Sequence, residues 1–120
     1  MVKLDNRELE GKLELRKARE EIHFSDSTKS LITDKFIEYV GDNNELLVRS
    51  MEECGELIQS CSKAYRNNRI GDIELLEEIA DVEICLSALK KIINKEEDIK
   101  YVSDIKYDSL LGRMLEAKKI

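Results

Sequence analysis

A four- to five-helix all-α bundle is the fold this sequence predicts, on three observations. Proline is absent and only five glycines occur in 120 residues, so few positions break a helix. Apolar residues recur at spacings of four and three along two long stretches, the period of a helix with one buried face. No alternating, strand-like run occurs anywhere in the chain.

The elements follow in order. Residues 4–22 predict a charged, peripheral helix with a thin stripe through Leu9, Leu13 and Ile22. Ser25-Asp26-Ser27-Thr28 has N-cap chemistry and opens a short helix running to about residue 40. Gly41-Asp42-Asn43-Asn44 ends that helix and caps the next. Over residues 45–67, Leu47, Met51, Cys54, Ile58, Cys61 and Tyr65 form a four-three stripe expected to face the core. Asn67 to Asp72 is the break before a helix over residues 73–94. There Leu75, Ile79, Val82, Leu86, Leu89 and Ile93 repeat the spacing, while Ile73, Leu76, Ala80, Ile84 and Ala88 line another side. A helix apolar on two sides is expected to be buried on two sides, centrally or at a subunit interface. A charged turn over 95–100 precedes a last helix carrying Ile105, Leu110, Leu111, Met114 and Leu115.

Composition narrows the function. Twenty-six acidic and 20 basic side chains give a net charge of −6, which argues against a polynucleotide partner needing a basic face. A smaller phosphate ligand remains open. Apolar runs reach only two or three residues and the N-terminus lacks an apolar middle, so a cytoplasmic protein without a membrane partner is expected. The three cysteines are odd in number, with no Cys-x-x-Cys, and predict reduced core thiols. The single His23 cannot supply the paired histidines of most zinc enzymes or of di-iron bundles.

The carboxylates carry the chemistry. At about 100° per residue, Glu53 and Glu56 lie about 60° apart, one turn from each other, and can converge on one ligand. Glu53 sits near Leu46, Leu57 and Ala64 at the margin of the apolar arc, and Glu52 points further out. Glu78 falls beside Leu75, Val82, Cys85 and Leu89, inside an apolar stripe, with Asp81 one turn on at its edge. A lone carboxylate there costs several kcal/mol unless an Arg or Lys, a raised pKa or a metal ion satisfies it. Two helices each offering carboxylates at i and i+3 would make an oxygen-only site. Such donors select Mg²⁺ or Mn²⁺ over zinc or copper, and Mg²⁺ keeps positions open for water and substrate phosphates.

Glu52-Glu53-Cys54-Gly55-Glu56-Leu57 and Glu78-Ile79-Ala80-Asp81, with 21 residues between Glu56 and Glu78, resemble the E-E-x-x-E … E-x-x-D signature of the MazG-like all-α NTP pyrophosphohydrolases. The wider wording is most similar to the short bacterial and phage MazG-like proteins, over residues 44–94. Residues 1–35 then read as a charged extension of unassigned role, and 36–120 as the MazG-like helical domain. The resemblance implies that Glu53, Glu56, Glu78 and Asp81 hold Mg²⁺ and that Glu52, with Glu53, serves catalysis by orienting or deprotonating the attacking water. It implies hydrolysis of an NTP or dNTP to the monophosphate and pyrophosphate, in a bundle completed as a homodimer or homotetramer.

Lys63, Lys90, Lys91, Lys106 and Arg113 are candidates for substrate phosphates and Asn94 for sugar or base, each with an ordinary surface or helix-end alternative. Phe36, Tyr39 and Tyr65 are candidate walls for a base. Two further readings stay open: a non-catalytic dimeric helical module that binds a nucleotide or protein, and a phosphoribosyl-ATP pyrophosphohydrolase.

Overall fold

The computed structural model describes residues 23–118, so the helix expected over 4–22 lies outside the described residues. Within them the chain forms four α-helices and no strand: α1 (Asp26–Val40), α2 (Asn43–Asn67), α3 (Ile73–Ile93) and α4 (Glu96–Glu116). The all-α class is as the sequence predicts.

Local chemistry sets the helix ends. Ser25 caps α1, its Oγ accepting from the Thr28 N–H at 3.2 Å. Gly41 closes α1 in the left-handed region at φ 79°, where a side chain would be strained, and its N–H donates to the Ile37 carbonyl at 3.0 Å. Asp42 then caps α2 by accepting from the Asn44 N–H at 2.9 Å. Asn68 and Asn94 take the left-handed conformation at φ 52° and 54° and close α2 and α3. The charged run over 95–100 is not the expected turn: α4 begins at Glu96, directly after Asn94 and Lys95. Glu96, Glu97 and Asp98 fall in its first turn, where the helix dipole favours acidic side chains.

The chain divides into two compact units, Met1–Leu89 and Lys90–Ile120. In the first, α1 packs against α2. Its described core consists of Leu46, which is 1% exposed, with Ala64, Leu75, Cys85 and Ala88. Buried Thr33 and Ser50 satisfy their hydroxyls by donating to the carbonyls four residues back, Lys29 at 2.9 Å and Leu46 at 2.8 Å.

The inner face of α2 corrects the sequence reading. Its inner stripe runs through Leu46, Ser50, Glu53, Leu57, Ser60 and Ala64, each buried or half-buried, one residue out of register with the predicted stripe. The more apolar set is turned to solvent: Met51 is 65% exposed, Ile58 70% and Tyr65 88%, with Leu47, Cys54 and Cys61 also exposed. Cys54 and Cys61 are therefore not core thiols; among the described residues only Cys85 is, and all three are free. On α3 the inner face is Leu75, Glu78, Val82, Cys85, Ala88 and Leu89, while Leu76, Ile79, Ile84, Leu86 and Ile93 are exposed.

Candidate metal centre

The two inner faces bring four carboxylates together. Glu53 and Glu56 of α2 and Glu78 and Asp81 of α3 each offer an oxygen within 4.8 Å of all the others. The i, i+3 spacing on each helix points both members of a pair to one side, and the pairs meet across the two helices. Glu53 and Glu78 are half-buried, whereas Glu56 and Asp81 reach solvent. The cluster thus has a closed base and an open rim.

The base is electrostatically unsatisfied. Glu53 Oε2 and Glu78 Oε2 are buried with no hydrogen-bond partner. A third such atom among the described residues, Asp72 Oδ1, belongs to the head of α3. Burial raises the Glu53 carboxyl above its ordinary range, and the Glu56, Asp81 and Glu52 carboxylates add to it. Burial likewise raises Glu78, reinforced by Glu56, Asp81 and Glu53. Buried acceptors without donors, among like charges, are what a cation would satisfy, so the residues present fit a hard divalent ion bound through oxygen.

Cys85 is buried on the inner face of α3, beside the carboxylates. Burial pushes this thiol up; Ser50 offsets part of the shift, and Glu53, Cys54 and Asp81 add to it. A thiol held protonated adds no soft ligand to the site. Cys85 was legible as a core position, but nothing in its spacing placed it beside Ser50.

The other candidates are more dispersed. Glu52 is exposed and lies outside the four-oxygen cluster. Lys63 Nζ stands 3.9 Å from Glu74 Oε2, in an ion pair between the second half of α2 and the first turn of α3. Lys90, Lys91, Asn94, Lys106 and Arg113 belong to the second unit, and Asn94 there serves as the left-handed stop of α3. Phe36 lines an apolar groove of about 410 Å³ with Phe24, Ile32, Ala80 and Ile84, on a side of α3 centred roughly opposite Glu78. Tyr39 lies under the Arg49 guanidinium, 5.9 Å from ring centroid to carbon, and Tyr65 is on the exposed stripe.

Fold and site together define a helical protein with a four-carboxylate cluster suited to a hard cation. Comparisons with protein-family models, curated proteins and solved structures return no match to this chain.

Proposed function

We propose that the protein is a Mg²⁺-dependent nucleoside triphosphate pyrophosphohydrolase of the MazG-like type, working as a homo-oligomer. The observation that carries this reading is the pair of buried, partnerless oxygens on Glu53 and Glu78 inside the four-carboxylate cluster. The E-E-x-x-E … E-x-x-D wording on these residues supplies the reaction class.

Glu53, Glu56, Glu78 and Asp81 would hold the ion, with Mn²⁺ as a substitute. A Mg²⁺ held there would supply charge neutralisation for a triphosphate and a lowered pKa for an attacking water. The protein's own part is positional. The half-buried Glu53 and Glu78 fix the base of the cluster, and exposed Glu56 and Asp81 leave its rim accessible to an anionic substrate. Glu52, exposed and next to Glu53, would accept a proton at the solvent side. The large apolar side chains left in solvent on α2 and α4, among them Ile58, Tyr65, Val102, Ile105 and Leu115, support self-association.

The test is a panel of NTPs and dNTPs with Mg²⁺, scored for pyrophosphate and orthophosphate. Pyrophosphate with the matching monophosphate, lost on Glu56→Gln, is the expected result. Orthophosphate as the direct product overturns α–β cleavage. The absence of turnover on every nucleotide overturns the catalytic reading and favours the binding module.

A further inference from the structure

The Lys63–Glu74 ion pair stands in line with the carboxylate cluster. Lys63 follows Glu56 by seven residues, and Glu74 precedes Asp81 by seven. Seven residues are about 10 Å of helix and return to within about 20° of the same azimuth. Glu56 lies with Glu78 and Asp81 while Lys63 lies with Glu74, so α2 and α3 run in opposite directions here. The pair thus bridges the two helices on the side of the exposed Glu56 and Asp81, at one end of the open rim. Helical side chains tilt toward their own N-terminus, which aims Lys63 back toward Glu56 and Glu74 away from the cluster. Between Glu56 and Lys63 that side of α2 carries Gln59 and Ser60, with no acid of its own.

The pair is weak enough to exchange. Its nitrogen–oxygen distance is 3.9 Å, beyond hydrogen-bond range, and its side chains are 33% and 51% exposed. Ion pairs of that exposure contribute little to stability. Lys63 carries a flexible point charge with three donors, a form of cation that suits phosphate oxygens. A cation is required at this rim. Four ionised carboxylates exceed the charge of one divalent ion by two, and a polyphosphate brings further negative charge to the same place. Arg49 stands seven residues on the other side of Glu56, but its guanidinium lies over the Tyr39 ring, toward α1.

Resting on the metal-bound triphosphate of the proposed function, we infer that Lys63 and Glu74 form a latch that phosphate exchanges. The Lys63 ammonium leaves Glu74 for the polyphosphate of a nucleoside triphosphate, and Glu74 takes it back when the phosphates depart. Glu74 is then a positioning residue: it competes with every phosphate for Lys63 and so loosens the hold on product pyrophosphate. A chain of three phosphates spans more of the distance from Glu56 to Lys63 than a single phosphate does. The latch therefore favours triphosphate over orthophosphate.

Calorimetry on the full chain with saturating Mg²⁺ tests this, at about 0.15 M salt, where repulsion across about 10 Å is largely screened. The probes are inorganic tripolyphosphate and orthophosphate. Lys63→Gln is expected to weaken tripolyphosphate about tenfold and orthophosphate less than about twofold, and Lys63→Arg to retain most of the affinity. Glu74→Gln is expected to tighten tripolyphosphate about threefold, and to change nothing once Lys63→Gln is present. Tripolyphosphate affinity unchanged by Lys63→Gln overturns the inference, whatever the nucleotide panel gives. Equal tightening by Glu74→Gln with and without Lys63 shows plain repulsion and also overturns it. The expected coupling without turnover on any nucleotide upholds the latch and sinks only the hydrolysis.

Discussion

Glu78→Gln isolates the charge of the cluster while keeping its volume. With oxygens within 4.8 Å of one another, a fully ionised pair repels by about 3.5 kcal/mol at an effective dielectric of 20, and by about 0.9 kcal/mol in bulk water. Glu78 faces three such partners. Solvent reaches Glu56 and Asp81, and the raised pKa of Glu78 already relieves part of the repulsion by protonation. The net relief is therefore about 1–3 kcal/mol, or roughly 5–15 °C in Tm for a domain of this size. Metal-free Glu78→Gln should melt higher than wild type in EDTA, read by circular dichroism at neutral pH. Mg²⁺ should reverse the order, because only the wild type gains binding energy, about 2.7 kcal/mol at 100 times Kd. Equal melting temperatures in EDTA would refute the electrostatic reasoning. Equal stabilisation of both proteins by Mg²⁺ would refute the assignment of Glu78 as a ligand.

The pH dependence has a definite sign. Glu53 and Glu78 are raised above 4.5 in the fold, so the folded protein holds protons that the unfolded chain releases, and metal-free stability should fall as pH climbs from about 4.5 through the raised values. Denaturant titrations in EDTA would read this slope, and saturating Mg²⁺ should abolish or invert it. Leu46→Ala removes the most enclosed large side chain, 1% exposed, and should cost about 2–5 kcal/mol in urea unfolding. Gly41→Ala forces a side chain into φ 79° and should lower stability by about 1–2 kcal/mol in the same assay.

The helix ends were legible because they rest on short-range chemistry. Ser25, Gly41 and Asp42 are recognised by what they do to the nearest backbone groups, and they cap the elements expected. The run 95–100 misled because its charge resembles a turn, whereas Glu96, Glu97 and Asp98 are favourable in the first turn of a helix. The carboxylate cluster was legible for a related reason: an acid among Leu75, Val82, Cys85 and Leu89 contradicts its neighbours, and such contradictions mark sites. The inner face of α2 was not legible. Hydrophobic periodicity finds the most apolar side of a helix but does not say whether its own chain or another covers it.

That ambiguity has a physical origin in α2 itself. On the proposed function α2 serves both a polar site and self-association, and 100° per residue lets two four-three patterns run side by side, one residue apart. The pattern through Leu46, Ser50, Glu53, Leu57, Ser60 and Ala64 gives up apolar area to hydroxyls and a carboxylate. Its stability then comes from small, satisfied polar groups and, on the proposed function, from a cation. The pattern through Leu47, Met51, Cys54, Ile58, Cys61 and Tyr65 has no such obligation and retains the larger apolar side chains. Because they occupy different sides of one helix, the two should be separable by mutation. Ile58→Glu should shift the protein to a monomer by light scattering while Mg²⁺ still raises the melting temperature of the folded fraction. Loss of the Mg²⁺ response in a variant that remains helical would show instead that the carboxylate cluster depends on the exposed stripe.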